Sequence, residues 1–310
     1  MEFVRDINWN FLKIRNVCFI LSAALILVSL VSLIAHGGPR YGIDFTGGRV
    51  LEISFGANPD IGEVRDMLLR FGFGAVEVQS VTDQPWVMFR VPMELDDKYE
   101  DFSKTLLEGL RNTFTAEEGF ELEVLSNEKV GPKVGEELRN KALWAILFSL
   151  LAMLVYITIR FQFRFGVASV LALFHDAFIT LGIFSILNKE ITLTIVAALL
   201  TIVGYSINDS IVVSDRIREN MTKLRKIGFA ELVNKSLNQV FARTIIMAFT
   251  TIIVIVCLLL FGSKVIYDFA LALLIGMLVG TYSSIYIVSP IVVLWEKWFP
   301  KKVAGMGTAR

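Results

Sequence analysis

The sequence predicts a polytopic α-helical membrane protein that carries a small α+β domain after its first membrane span. Of its 310 residues, 55% are hydrophobic, above the roughly 45–50% that is usual for soluble domains. The apolar residues are concentrated in six long stretches. Charge is divided as well: residues 37–139 hold 11 of the 30 basic residues but 20 of the 30 acidic ones. This split indicates an acidic soluble domain and a membrane part with basic flanks.

Each of the six apolar stretches approaches the length of about 20 residues that a helix needs to cross the hydrocarbon core. They are Asn16–Ala35, Ala142–Ile159, Gly166–Leu187, Thr192–Val213, Phe241–Phe261 and Phe269–Leu294. The first follows Lys13 and Arg15, as a secretory signal would. Its apolar run is too long for a signal, however, and no small-residue cleavage site follows, so we expect an uncleaved anchor over residues 16–35.

Basic residues in the short connections predict the orientation, because they remain on the cytoplasmic side. They gather before the first span, between the second and third, between the fourth and fifth, and after the sixth. These residues are Arg5, Lys13, Arg15, Arg160, Arg164, Arg216, Arg218, Lys223, Arg225, Lys226, Lys235, Lys297, Lys301 and Lys302. The sequence therefore predicts a cytoplasmic segment 1–15, spans 2–6 within 140–295 with a cytoplasmic loop 214–240, and a cytoplasmic tail 296–310. We expect the cytoplasmic (inner) membrane.

The acidic segment 36–139 is predicted to fold as an extracytoplasmic (periplasmic) βαββαβ domain. Alternating apolar residues predict strands, and apolar residues at helical spacing predict two helices. The expected elements are Val50–Phe55, Pro59–Phe71, Ala75–Val81, Trp86–Val91, Asp97–Phe114 and Glu121–Leu125, with a turn over residues 82–85. This order is typical of a ferredoxin-like sheet with both helices on one face.

Ionisable residues interrupt three of the spans, although a charge in mid-membrane costs about 2.5–3.5 kcal/mol on insertion scales. In the fourth span, Thr194, Thr201, Tyr205, Asn208 and Asp209 follow helical spacing and are expected on one face. The fifth span opens with Arg243, and the third contains His175 and Asp176. Because successive spans are antiparallel, Asp209 and Arg243 are expected at similar depth.

Two interpretations of these groups stay open at this point. Asp209 and Arg243 could form a buried ion pair that helps the helices assemble, or Arg243 could simply lie at the headgroups. Alternatively, they could relay a proton, because a carboxylate stays ionised beside an arginine and binds a proton when the arginine moves away. Asn208 would then orient the carboxylate, and His175 could titrate near neutral pH. His175 and Asp176 are further candidates for the same pathway.

The remaining features indicate packing rather than chemistry. Gly276, Gly280 and Ser284 recur every four residues in the sixth span, a spacing that allows close helix contact. Cys18 and Cys257 lie inside apolar runs and do not resemble a disulfide or a metal site. We find no catalytic residues, metal ligands, cofactor-binding pattern or phosphate loop. The sequence thus predicts a protein that is not an enzyme, has no cofactor and binds no nucleic acid.

Several ordered motifs resemble the SecF branch of the SecD/SecF family of protein-export membrane proteins. They are GIDFTGG at 42–48, VGPKVGEEL at 130–138, LFHDAF at 173–178, GYSINDSIVVSDRIREN at 204–220 and SLNQVFARTII at 236–246. Ser214 stands where this family is expected to have phenylalanine. The resemblance extends over nearly the whole chain.

The resemblance implies half of a pseudo-symmetric bundle related to the resistance–nodulation–division (RND) transporters, with SecD as a separate chain supplying the other half. It also implies that proton flow assists export through the SecYEG translocon, with Asp209 and Arg243 on the proton pathway. The other expected partners are YajC, the translocating unfolded polypeptide and the lipid bilayer. The coupling ion is expected to be H⁺, with Na⁺ as the alternative. Rival functions are an RND-type exporter of lipids or small molecules and a passive translocon scaffold.

Overall fold

The computed structural model describes residues 8–80, 85–114, 120–224, 226–262 and 264–299. The chain divides into a membrane unit, Met1–Arg40 with Trp144–Arg310, and an α+β unit, Tyr41–Leu143. Most of the expected turn over 82–85, the start of the segment 1–15 and most of the tail 296–310 lie outside the described residues. So do four of the basic residues used for the orientation, Arg5, Arg225, Lys301 and Lys302.

The secondary structure follows the predicted order with a few additional short elements. In chain order the elements are a 3-10 turn (Phe11–Ile14), α1 (Arg15–Ala35), α2 (Ile43–Thr46), β1 (Gly48–Ser54), α3 (Ile61–Arg70), β2 (Glu77–Ser80), β3 (Trp86–Val91), α4 (Met93–Asp96), α5 (Phe102–Phe114), β4 (Glu123–Val130), α6 (Pro132–Arg160), α7 (Phe163–Ile186), α8 (Leu193–Lys223), α9 (Phe229–Phe261), α10 (Lys264–Ser283), a π-helical segment (Ser284–Val288) and α11 (Ser289–Trp298).

Six helices of the described chain are long and apolar enough to cross a membrane, which confirms the six predicted spans. The sixth is assembled from α10, the π-helical segment and α11. Two spans are longer than predicted, since α8 continues to Lys223 and α9 begins at Phe229. The connection expected over 214–240 is therefore mostly helical. Hydropathy marks only the part of a helix that lies in lipid, so it misses polar extensions of this kind.

Small residues allow the inner helices of the membrane unit to approach closely. A Cβ atom added to Gly182 of α7 would overlap Ser29 of α1, and one added to Gly276 of α10 would overlap Ile202 of α8. Gly280 of α10 similarly lies against Ser206 of α8. The packing role predicted for Gly276 and Gly280 is confirmed, and it explains how α8 becomes enclosed by α7, α9 and α10.

The sixth span changes its winding before Pro290. Proline has no backbone N–H and its ring clashes with the carbonyl four residues earlier, so the α-helical pattern cannot continue unchanged. Here the five residues Ser284–Val288 form a π-helical segment directly before α11, which has Pro290 in its first turn. The Ser289 hydroxyl donates to the Ser284 carbonyl over 3.4 Å. The helix thus crosses the proline by widening one turn.

A buried ion pair joins the ends of several helices. Arg164, in the first turn of α7, is 5% exposed and forms an ion pair with Glu296 of α11. Its guanidinium also lies 4.9 Å from the ring centroid of Phe229, at the start of α9. The sequence counted Arg164 only as a loop cation. It is instead buried, because a carboxylate from the last helix supplies the counter-charge.

Two asparagines of α9 hold the N-terminal segment of the membrane unit. Asn234 accepts from the Phe11 amide and Asn238 accepts from the Trp9 amide, each over 2.8 Å. Both side chains also donate to the Trp9 carbonyl, over 2.9 and 2.8 Å. Because residues four apart lie on one helix face, the two amides can bind one extended stretch of backbone.

The α+β unit has an antiparallel sheet in the order β2-β3-β1-β4. That is the order expected for a ferredoxin-like βαββαβ fold. Its core is closed by residues from both helices, including Val64 and Leu68 of α3 and Leu106 and Leu110 of α5. The second helix starts later than predicted, at Phe102, because residues 93–96 form the separate turn α4. Strand β4 is longer than predicted and pairs with β1 as far as Val130.

One buried carboxylate neutralises two cations that the sheet register brings together. Arg49 of β1 pairs directly with Lys129 of β4, a like-charge pair that is destabilising by itself. Asp96 is 2% exposed and lies 2.6 Å from both Arg49 Nε and Lys129 Nζ. Burial opposes ionisation of Asp96, but the hydrogen bonds from Arg49 and Lys129 outweigh it and hold its pKa below the ordinary value.

We predict that Asp96→Asn destabilises the α+β unit by about 3 kcal/mol, because two cations then lose their shared counter-charge. Since the folded-state pKa is lowered, this stabilisation is complete above the unfolded pKa of about 4 and is lost as the pH falls through the folded value. Hydrogen–deuterium exchange of β1 and β3 in the full chain measures the effect. Asp66→Asn, at an exposed position of α3, is the control and should exchange like the parent chain. Equal protection in both variants would contradict the prediction.

Candidate functional site

The centre of the membrane unit contains a buried carboxylate, Asp176, that is bonded to three neighbouring residues. Its Oδ2 accepts from Ser206 of α8 over 2.7 Å and from Ser283 of α10 over 2.8 Å. Its Oδ1 lies 2.9 Å from His175 Nδ1. Asp176 is 0% exposed, so these contacts replace the water that an ionised carboxylate would otherwise need. One side chain therefore connects α7, α8 and α10.

His175 extends this network to the first span. Its Nε2 lies 3.0 Å from Ser22 Oγ on α1, and Ser22 Oγ lies 3.1 Å from Tyr282 Oη on α10. Tyr282 donates to the Cys18 carbonyl over 2.8 Å. The Tyr282 ring stacks on the imidazole with centroids 6.2 Å apart. We call the set Ser22, His175, Asp176, Ser206, Tyr282 and Ser283 the polar network.

The serines and the tyrosine of the polar network were not identified from the sequence, because isolated hydroxyl groups barely change the hydropathy of a span. A weak signal was present in α1, where the buried Ser22 and Ser29 are seven residues apart and mark its inward face. Gly280 provides the room on α10, since a Cβ atom there would lie 3.1 Å from Ser206 Cβ.

Asp209 of α8 is buried but lies outside the polar network. It is 1% exposed, and its Oδ2 has no hydrogen-bond partner among the described residues. Asn208 is exposed. The two residues therefore do not share a face as expected, because consecutive helical residues are about 100° apart.

Arg243 of α9 is exposed and forms no ion pair with a residue of the described chain. Its depth follows from neighbouring contacts: Asn220 of α8 donates to Ser236 and Gln239 of α9, over 2.8 and 2.7 Å. In this antiparallel register Asp209 lies level with residues 247–250 of α9, which leaves Arg243 four to seven residues, or roughly 6–10 Å along the axis, from the level of Asp209. The two side chains are not paired within the described chain, so the expected meeting of Asp209 and Arg243 stays a prediction.

A stripe of small and polar residues is exposed along α8. It consists of Thr194, Thr201, Gly204 and Asn208, and we call it the open face. Polar residues of membrane helices usually face a bundle interior rather than lipid. The open face is therefore a surface of the membrane unit that lacks the apolar character expected at lipid.

Within the described ranges, no three His, Cys, Asp or Glu side chains lie close enough together to hold a metal ion. Cys18 is buried and Cys257 is exposed, and both are free thiols. The carboxyl, imidazole and hydroxyl groups of the bundle can exchange protons and form hydrogen bonds.

Two family profiles match the chain. Residues 111–298 match the profile described as "Protein export membrane protein SecD/SecF, C-terminal", and residues 32–58 match the "SecD/SecF GG Motif". The second range includes the GIDFTGG segment noted above. Together the two matches include parts of both structural units.

Curated relatives share about two-fifths of their residues with the chain over most of its length. The chain is 41% identical to the protein translocase subunit SecF of Desulfurispirillum indicum, covering 92% of the chain and 91% of that protein. It is also 41% identical to the SecF subunit of Magnetococcus marinus, covering 98% and 97%. It is 44% identical to the translocase subunit SecDF of Thermus thermophilus, covering 94% of the chain but 39% of that protein.

Solved structures agree with these matches. The crystal structure of Thermus SecDF, described as a translocon-associated membrane protein, has a TM-score of 0.84 and 40% identity over 94% of the chain. A SecDF structure in a super-membrane-facing form has a TM-score of 0.68 at 40% identity over 96%. The chain spans 39% and 40% of these two longer chains.

We predict that Ser206→Ala and Ser283→Ala each reduce the free energy of unfolding by about 1 kcal/mol, since each removes one donor to Asp176. The double variant should lose more than the sum, because Asp176 Oδ2 then has neither serine as a donor. Thermal unfolding in detergent micelles measures all three variants. Ser149→Ala is the control, because that hydroxyl donates only within α6, to Ile146. Strict additivity would contradict the prediction.

Proposed function

The chain belongs to the SecD/SecF family of protein-export membrane proteins, and we propose that it couples proton flow to polypeptide export through the SecYEG translocon. Its relatives are named as protein translocase subunits rather than as enzymes, and a role in protein translocation follows from that family. The proposal adds the energy source and the residues that respond to it. Its first support is the multi-pass membrane unit with ionisable groups in its interior.

The observation that carries the proposal is the buried carboxyl group of Asp209. An ionised carboxylate in a spanning helix needs a counter-charge or several donors, and Asp209 Oδ2 has neither among the described residues. Binding a proton removes the unbalanced charge. We propose that the described arrangement corresponds to proton-occupied Asp209 and that release of the proton requires a cation to approach.

Arg243 supplies that cation in the proposed mechanism. It lies roughly 6–10 Å from Asp209 in depth and carries no ion pair within the described chain. A shift of α9 along α8, together with the reach of the long arginine side chain, would bring the guanidinium to the carboxylate. An arginine beside a carboxylate favours its ionised form. Proton release and helix movement then become one event, which a membrane potential can drive with about 2.3 kcal/mol per charge per 100 mV. Asn208, which precedes Asp209 on α8, is proposed to orient a water molecule.

SecD is the proposed partner at the open face. The Thermus relative is a single SecDF chain of which this chain matches 39%, so a second chain supplying the remainder would complete the assembly. The open face offers small and polar side chains, which suit helix–helix contact better than lipid contact. YajC is proposed as an additional subunit.

We further propose the orientation predicted by the basic residues, with both termini in the cytoplasm and the α+β unit outside the cytoplasmic membrane. In this position the α+β unit meets unfolded polypeptide as it leaves SecYEG. The proposed coupling ion is H⁺, which the resemblance to the SecD/SecF family favours; carboxylates also bind Na⁺, which is the alternative.

We predict that Asp209→Asn abolishes the stimulation of export by a proton gradient while the complex remains assembled. The amide is nearly isosteric with the carboxyl group but cannot release a proton. The measurement is the uptake of a secretory protein into membrane vesicles under separately imposed proton and sodium gradients.

Asp215→Asn is the matched control for that experiment, because Asp215 lies on the same helix at an exposed position. It should retain gradient-dependent export. Stimulation that persists in Asp209→Asn would favour a passive scaffold. Stimulation that follows the sodium gradient would exclude the proton as coupling ion.

We predict that a cysteine at Asn208 forms a disulfide with a cysteine in a spanning helix of SecD, in a chain whose Cys18 and Cys257 are replaced by serine. The control is Phe148→Cys on α6, where the side chain is 61% exposed but outside the open face. Oxidative cross-linking in native membranes, read by gel mobility, should give a product at 208 and none at 148. A cross-linked product at 148 and none at 208 would contradict the proposal that SecD contacts the open face.

A further inference from the structure

The contacts of the polar network show where one of its protons lies. We infer that His175 and Asp176 form a second proton-binding site, and that the presence of its proton is linked to the attachment of the first span, α1. This inference deepens the proposed function, since it adds a site and a route within the membrane unit. Each hydrogen bond requires one hydrogen, and the hydrogens available at these contacts determine the protonation state. The relevant atoms all lie on α1, α7 and α10.

Tyr282 has one hydroxyl hydrogen. The Cys18 carbonyl can only accept, so the 2.8 Å contact uses that hydrogen. The 3.1 Å contact between Tyr282 and Ser22 must therefore be donated by Ser22. Ser22 also has one hydroxyl hydrogen, so it can donate to nothing else.

The next contact fixes the state of the imidazole. Because the Ser22 hydrogen is already used, the 3.0 Å contact with His175 must be donated by Nε2–H. The contact between His175 Nδ1 and Asp176 Oδ1 contains one more hydrogen. Ser206 and Ser283 donate to Asp176 Oδ2, so that oxygen carries no hydrogen. The pair then has no net charge, whether the shared hydrogen lies nearer Nδ1 or nearer Oδ1. A neutral pair is the state that a buried site without a further counter-ion favours.

Loss of the Nε2 proton to water would change the first span. The bare Nε2 becomes an acceptor, so the Ser22 hydroxyl must turn towards it, and the pair acquires a charge of −1. Tyr282 and Ser22 would then face each other with lone pairs, unless Tyr282 releases the Cys18 carbonyl. In either case one contact between α1 and α10 is lost. Proton occupancy and the attachment of α1 are therefore linked, and such linkage acts in both directions.

This linkage gives α1 a role beyond anchoring. It continues in sequence into the α+β unit at Tyr41. Ser22 and Tyr282 are positioning residues in this view, because they act through His175 and do not themselves hold the exchanged proton. Other titratable side chains on the packed elements include Cys18 on α1, Tyr205 and Asp209 on α8, Tyr286 in the π-helical segment and Arg243 on α9.

Nitrogen-15 NMR of histidine tests the assignment, because the chain has only two histidines, His36 and His175. The full chain, labelled with ¹⁵N-histidine and purified without a histidine tag, is placed in phosphatidylglycerol-containing bilayers. His175→Gln assigns the two sets of signals. At pH 7 we expect His175 Nε2 to carry a hydrogen. A bare Nε2 with hydrogen only on Nδ1 would overturn the inference.

Tyr282→Phe tests the linkage, since it frees the Ser22 hydrogen to be donated to Nε2. The ratio of bare to protonated Nε2 should rise by about fivefold, the effect of one net hydrogen bond. Tyr286→Phe is the matched control, because its ring lies 5.4 Å from that of Tyr282 but outside the hydrogen-bonded chain, and it should behave like the parent. Equal ratios in the two variants would overturn the linkage.

The NMR result does not depend on export. If Asp209→Asn removes gradient-dependent export but His175 Nε2 is bare, the second site is refuted and the proposed function remains. If Nε2 is protonated but export ignores the gradient, the function fails and the site remains. The spectrum of the parent chain also tests the assignment by itself if Tyr282→Phe does not fold.

Discussion

The membrane unit depends on the carboxylate of Asp176 and the three groups bonded to it. In lipid, a polar side chain must find its partners within the protein, because no water is available to replace them. Asp176 receives hydroxyl donors from Ser206 and Ser283, and His175 connects it to α1. These contacts determine which faces of α7, α8 and α10 point inwards. Close packing at Gly182, Gly276 and Gly280 accompanies that arrangement.

The sequence predicted the architecture well, because length, hydropathy and alternation each have a physical cause that acts locally. All six spans and the four strands were predicted, and β3 was predicted with the same bounds as observed. Errors occur where partners lie far away in the chain. The polar extensions of α8 and α9 carry charge, so hydropathy placed the end of the α8 span too early and the start of the α9 span too late. Arg164 is buried because of Glu296, 132 residues later, and local pattern contains no trace of that contact.

The candidate site was predicted in part for the same reason. A carboxylate in a span is conspicuous, so Asp176, Asp209 and His175 could be selected from the sequence alone. Their partners could not, since a single serine in a long apolar helix is common and carries no signal of contact. From the sequence, Asp209 and Arg243 were preferred to Asp176 as the principal site residues. In the structure Asp176 has the complete set of donors, whereas Asp209 and Arg243 are unpaired within the described chain. The difference between the two acids has a physical meaning. Asp176 is held by its donors, whereas Asp209 is left able to exchange a proton.

The π-helical segment before Pro290 affects how this span should be compared with those of other proteins. A π turn holds one more residue than the α turn it replaces. Every side chain after Val288 is consequently rotated by about 100° from its place in an uninterrupted helix. Glu296, which forms the ion pair with Arg164, lies after this offset. A homologue that is one residue shorter between 284 and 288 would therefore have the later side chains rotated about the helix axis, with the span length unchanged. An alignment gap there would record a change from π-helical to α-helical winding.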